Sequence, residues 1–379
     1  MAGKKQHYVP RFLQAGFNSR ASTLGDPPHA WLYMTGRAPV EASLKDIGHD
    51  EWFYTFRRNG QTIECADGAI SEAERAWMSR LIRHLREDAS FDLDTHHADI
   101  SHLLSHLVIR NRAIWKLIEA PAAPLFDRLR DAAQDPVWLA GVIKQLLEAN
   151  RPFFEEALSA MLPEADIPAL VDQAETAFAS GTVPQASDGA MPMLKYLHED
   201  LMPRVLKVLR VQTMAEALRD PSQYKLFRDC SFEVARDAKG GLIQGDTPVV
   251  FHRADGRGFT PVPSEGEDFD YAYLPLSPSV VLIASKGGKP QSWDALRQAS
   301  AVCSHTYFIA AEQSAALNAL ADTIAASFPA PTEQQISSMF SEALDEAGTF
   351  DSTDLELTAV FDTIFSDFLK SNPPKLTNG

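Results

Sequence analysis

The chain has 379 residues and a formal net charge of −16, with 45% hydrophobic and 23% charged residues. That length suggests two or three domains or subdomains, and no apolar run approaches the ~20 residues needed to span a bilayer, so no membrane partner is expected. The acidic balance argues against an extended duplex-binding face, which needs many basic side chains on phosphates, and leaves room for a nucleotide or nucleic acid in a locally basic pocket.

The start, Met-Ala-Gly-Lys-Lys-Gln-His, is basic but carries no apolar h-region, so it does not read as a signal peptide. Cys65, Cys230 and Cys303 make no CxxC pair and no disulfide framework. A cytoplasmic, reducing location is the expectation.

The richest stretch is the first seventeen residues, above all Gln6-His7-Tyr8-Val9-Pro10-Arg11-Phe12, closed by Phe17. Val9-Pro10 favours an extended or turn geometry, and Phe12, Leu13 and Phe17 after Pro10 suit one or two helical turns. An extended arm that pins a charged and an aromatic group against the body of the protein is expected.

Ala30–Met34 reads as a strand, and Trp52–Phe56 as a strand or an aromatic anchor. Arg57-Arg58-Asn59-Gly60 suits a turn. A first long helix should open at Ser71, its N-cap, with Glu72 and Glu74 in the first turn. Those glutamates either serve the helix dipole or send one carboxylate into the site as a base or metal ligand. A second helix is expected over Asp94–Glu119, with His102, His106 and Arg110 along one face. Two histidines at i and i+4 suit a shared metal, but no third ligand stands nearby in sequence, so a polar helix–helix contact competes.

Shorter helices over 121–161 and 167–178, a Gly/Pro/Ser linker near 179–191 and a helix over 194–218 complete a helical region. Cys230–Arg236 and Leu242–Val250 then read as a hairpin that carries Asp246, Tyr273–Pro278 leads into a buried strand at Val280–Ala284, and a helix at 293–304 precedes a strand at 306–311. Helices over 317–328, 336–344 and 355–369 and a frayed tail close the chain. The fold class is therefore α+β: a central helical bundle and a mainly antiparallel β-sheet formed by C-terminal strands and joined by N-terminal ones. The expected divisions are 1–70 (arm and early strands), 71–228 (bundle), 229–315 (β region) and 316–379 (C-terminal helices and tail).

The word Gln6–Phe12 resembles the opening motif of the family labelled domain of unknown function 4238. Looser matches are Tyr54-Thr55, the glutamates ahead of the first helix, Arg110-Asn111-Arg112 where the family has an Arg-Thr-Pro-like word, Gly245–Val249 and Pro275–Pro278. The resemblance covers about residues 4–315 and supplies candidate residues rather than a reaction. The kind of family it is suggests a bacterial toxin or phage-defence effector.

The chain lacks a Walker-type phosphate loop and a dinucleotide fingerprint. What remains is a constellation of His7, Arg11 and Asp246 as catalytic candidates, with Tyr8, Arg110 and Arg112 on the substrate. Glu72, Asp246, His102 and His106 are candidates for a divalent metal ion. Histidine shuttles protons near neutral pH, arginine recognises phosphate with two parallel hydrogen bonds, and aspartate orients a histidine or holds a cation. Those types suit a phosphoester hydrolase of nuclease or phosphoesterase type. The competing expectation is a non-enzymatic sensor or protein-interaction module, in which the same groups form a buried ion-pair network. Both require the arm to be packed against the body, and His7 and Arg11 are expected beside Asp246 in the seam between helices and sheet.

Overall fold

The computed structural model describes residues 5–20, 27–58, 61–112, 115–116, 166–179, 210–215, 226–263, 268–288 and 292–328, with isolated residues between them. By its contacts the chain forms two compact units, residues 1–119 with 206–330 and residues 120–205 with 331–379. The N-terminal arm thus shares one unit with the β region.

In chain order the arm forms β1 (Lys5–His7) and α1 (Arg11–Gln14), the latter continued as a 3-10 turn to Phe17. Strands β2 (His29–Met34), β3 (Val40–Ser43), β4 (His49–Glu51), β5 (Thr55–Arg58) and β6 (Gln61–Cys65) follow. Helix α2 (Asp67–Ala73) runs without a break through a π-helical turn, Glu74–Met78, into α3 (Ser79–Glu87), and α4 spans His97–Ile109. In the second unit α5 spans Ile167–Ala179, and Arg151 reaches Glu155, Asp172 and Glu175 at 2.8, 2.6 and 3.5 Å.

The β region holds β7 (Ser231–Arg236), β8 (Gln244–Gly245), β9 (Val250–Arg253), β10 (Phe259–Thr260), β11 (Phe269–Ser277) and β12 (Val280–Ser285). Helix α6 (Trp293–Val302), β13 (Tyr307–Ala310) and α7 (Ala315–Ala321) end the described chain. Ser292 and Ser314 cap the two helices through their side chains, the preferred N-cap chemistry.

The class is α+β, and among the described residues every strand pair is antiparallel. A five-stranded sheet has the order β10-β9-β11-β12-β7 and a four-stranded sheet the order β3-β2-β13-β8; β1-β4 and β5-β6 are two-stranded ribbons. Side chains alternate across β11 and β12 with the period of two that strands impose. Ala272, Leu274 and Leu282 face a core shared with the arm and with α2–α4, while Tyr271, Tyr273 and Ile283 face Leu296 and Ala299 of α6. A smaller core joins Tyr33 and Phe308 of the four-stranded sheet to Leu317 and Ala321 of α7.

Three expectations need correction. The expected 230–250 hairpin does not form: β7 pairs with β12, while Gln244–Gly245 pairs with β13 in the other sheet. Two alternating runs around a Gly-Gly turn look like partners, but the turn only redirects the chain between sheets. The first helix begins at Asp67, not Ser71, so Ser71 lies inside it and Asp67 supplies the acid of the first turn. Arg57 and Arg58, expected in a turn, belong to β5; of the strand-or-anchor alternatives for Trp52–Phe56, the strand begins only at Thr55, after Trp52, which sits in the left-handed region at φ 57 with the Arg57 guanidinium 4.3 Å above its ring. Asn59-Gly60, most of the helices expected over 121–161 and 194–218, the 179–191 linker and everything after 328 lie outside the described residues.

Candidate functional site

The arm is anchored through its backbone. Strand β1 pairs with β4 in the register Lys5–Glu51, Gln6–Asp50 and His7–His49. The buried Gln6 amide accepts from Tyr54 N at 2.6 Å and donates to Thr55 Oγ1 at 2.8 Å. The His7 carbonyl accepts from Tyr54 Oη at 2.7 Å and from Arg110 Nη2 at 2.5 Å. Pro10, extended at φ −59 and ψ 136, then starts α1, whose N–H groups at Leu13 and Gln14 donate to the Pro10 carbonyl. Gln14 is fully buried and donates to the carbonyls of Val9 and Ile47 at 2.7 and 3.2 Å.

Arg86 of α3 makes the next tie. It donates to Leu276 O at 2.9 Å and to the carbonyls of Phe12 and Leu13 at 3.2 and 3.3 Å, joining the end of α1 to β11. A Cβ at Gly16 would stand 1.9 Å from Leu276 O, so only glycine lets the arm approach this closely.

Arg110, just past α4, is 2% exposed. Its guanidinium lies 2.5 Å from the Glu74 carboxylate and also donates to Tyr54 Oη. Burial alone lowers its pKa, but Tyr54 and Glu74 more than offset that, and the net shift is upward. Tyr54, fully buried, is pushed up by desolvation against the opposing pull of Arg110. Glu74 is the first residue of the π turn, a helix irregularity common at functional sites.

A cavity of about 680 Å³ opens against this anchor. Its wall includes His7 and Arg11 of the arm, the anchoring Gln6, Tyr54, Glu74 and Arg110, the basic Lys5, Lys45 and Arg75, and the apolar Phe12, Leu44 and Ile70. The His7 imidazole is lowered to about 4, chiefly by burial and then by the charges of Arg11 and His49; a hydrogen bond to the Leu44 backbone opposes this. The ring is therefore neutral at pH 7, and its Nε2 is enclosed without a hydrogen-bond partner. Arg11 points outward from the first turn of α1 and is exposed; no carboxylate pairs with it among the described residues.

The expected juxtaposition of His7 and Arg11 with Asp246 does not occur. Asp246 is not among the cavity's lining residues. It is 1% exposed, and its carboxylate accepts from His305 N at 2.7 Å and Thr306 N at 2.8 Å. Burial raises it to about 6 in spite of those donors and of Arg112. It works as a backbone clasp on the turn before β13, because β8 is paired with that strand.

Tyr8 and Arg112 belong with Asp246. Arg112 pairs with Asp50 at 3.0 Å and lies 5.7 Å from the Tyr8 ring centroid, and the Tyr8 and Tyr307 hydroxyls interact, both groups raised mainly by burial. Of the two arginines, Arg110 is the one at the cavity. The metal candidates do not assemble: among the described residues no three His, Cys, Asp or Glu side chains come together. His106 is fully buried, with both ring nitrogens lacking hydrogen-bond partners, and burial pulls it far down; His102 packs 5.1 Å from the Trp77 ring. Glu72, exposed on α2, is not among the lining residues.

Lys5, Lys45, Arg75 and Arg86 escape sequence reasoning because a charged residue on a surface strand or helix end carries no sign of the pocket or carbonyl it meets. Among the described residues no helix is long and apolar enough to cross a membrane. Comparison of the chain with protein-family models, curated proteins and solved structures returned no match.

Proposed function

We propose that the cavity at the N-terminal arm is the active site of a phosphoester hydrolase of nuclease or phosphoesterase type. The observation that carries this reading is the division of labour in the arm. Its backbone and Gln6 are consumed by anchoring, while the His7 ring and the Arg11 guanidinium are left at the cavity with no carboxylate partner. Arg11 supplies a planar donor set for a phosphate. His7 supplies a neutral imidazole, and a phosphate dianion docked beside it raises its pKa toward the range where acid–base catalysis is effective. The resemblance of Gln6–Phe12 to the opening word of the family named above fits this placement, since that word builds one wall. The test offers the purified protein RNA, DNA, nucleotides and p-nitrophenyl phosphate with and without Mg²⁺ or Mn²⁺. Hydrolysis by wild type and its loss in His7→Ala is the expected result; equal inactivity of both across the panel sinks the idea.

The non-enzymatic reading has its own support in Arg110. This arginine is buried and spends its donors on Glu74, Tyr54 and the His7 carbonyl, as a structural tie does. For Arg110, Glu74, Tyr54 and Gln6 we favour that role, with the arm as a fixed platform. A chain that melts normally but turns over nothing in the panel is then an interaction module.

A further inference from the structure

We propose that the ligand of this cavity is a small phosphomonoester of mononucleotide size, with its phosphate at Arg11, Lys45 and Arg75 and its less polar part on Phe12 and Ile70; this rests on the hydrolase reading above. The first argument is charge. Five cationic side chains line the cavity against Asp67 and Glu74. Glu74 neutralises Arg110, and Lys5 is held by Asp46 at 2.8 Å. Arg11, Lys45 and Arg75 remain without an ion pair among the described residues, which suits a dianion better than the single charge of a phosphodiester link.

The second argument is contrast. A chain with a net charge of −16 that keeps these cations in one cavity attracts phosphate there and repels a long polyanion elsewhere. The third is size: about 680 Å³ lies in the range of small-molecule sites. The fourth is coupling. Burial above all, and then the charges of Arg11, His49 and Arg110, keep His7 unprotonated. A dianion bound at Arg11 offsets the part due to charge, so binding should shift His7 toward the protonated form.

Titration of the full chain with inorganic phosphate, AMP and a single-stranded RNA oligonucleotide tests this. Phosphate and AMP should bind saturably, AMP tighter through its base. Arg11→Ala should weaken both by about tenfold to a hundredfold, the worth of a hydrogen bond to a charged group, without changing the melting temperature of the unliganded protein. Arg11→Lys should recover part of the loss. Lys239→Ala, an exposed cation outside the cavity, should change nothing. Calorimetry at pH 6 in two buffers of unlike ionisation enthalpy should report more proton uptake for wild type than for His7→Gln. Absence of saturable phosphate and AMP binding, an equal loss in Lys239→Ala, tighter binding of RNA than of AMP, or equal proton uptake by the two proteins each overturns the inference. Turnover of an ester without such binding overturns it alone; binding without any turnover overturns the hydrolase reading alone.

Discussion

His7 and Tyr8 are neighbours in sequence and enter opposite surroundings. Around His7 the contacts run from side chains to main chain: Tyr54 and Arg110 both donate to its carbonyl, and the imidazole is left over at a cavity. Around Tyr8 side chains meet side chains, with Arg112, Asp50, Asp246 and Tyr307 closed together. Burial acts on both and shifts the titrations in opposite senses, His7 down to about 4 and Asp246 up to about 6. An arm tied by its carbonyls can spare a side chain for a ligand. A cluster that satisfies its own side chains cannot.

The sharpest way to break this contrast is Arg110→Met. Removing the guanidinium leaves Tyr54 Oη and the His7 carbonyl without their buried donor, while the quarter-exposed Glu74 carboxylate keeps part of its hydration, so a loss of about 2–4 kcal/mol is expected by chemical denaturation. A cost below about 1 kcal/mol would mean the anchor is not where the arm's stability resides. Next is Gly48→Ala. Gly48 has φ +69, and an added Cβ would stand 2.6 Å from the Tyr307 hydroxyl, so strain and clash together should cost about 1–3 kcal/mol.

Asp246→Asn comes third, at about 1 kcal/mol near neutral pH for an impaired backbone clasp, and its signature is in the pH profile. The raised carboxyl of Asp246 contributes stability that is full below the unfolded value of 3.8 and lost as pH rises through about 6. His7, lowered from 6.5, contributes stability present above 6.5 and lost as pH falls through about 4. Melts between pH 4 and 6.5 should therefore lose one slope in Asp246→Asn and the opposite slope in His7→Gln. Slopes of the same sign would remove the distinction between the two environments. The smallest effect belongs to Arg11→Ala, within about 0.5 kcal/mol of wild type, because the residue is exposed and carries none of the anchor.

The fold was legible where pattern and burial coincide. The runs at Ala30–Met34, Cys230–Arg236 and Val280–Ala284 became strands β2, β7 and β12, and the aromatic density of the arm marked a segment that packs. Pairing was less legible, since the alternation of Leu242–Val250 does not say which sheet receives it. The site was half legible. His7, Arg11 and Arg110 do share the cavity, whereas Asp246, drawn into the constellation by the Gly245–Val249 resemblance and its place at a strand end before Pro248, is spent on the backbone of His305 and Thr306. Glu74 was seen as one of two candidates, because its inward turn depends on the π segment. Arg86 and Gln14 were invisible, because a polar residue reads the same whether its partner is water or a carbonyl.

That π segment gives the helix a reserve in chain length. A π turn fits one more residue into the backbone ladder than an α turn does. Deleting the exposed Ala76 would let the ladder from Asp67 to Glu87 close as ordinary α-helix, locally a more regular structure. The wide turn carries its extra residue within about the same rotation, so the helix on either side would keep its orientation, and Asp67, Ile70, Ser71 and Glu74 would stay on the cavity wall. The regular part of the helix has no such reserve: deleting the exposed Arg83 of α3 would rotate the residues upstream by about 100° against those downstream. The same shortening by one residue is absorbed at one place and turns the wall at the other.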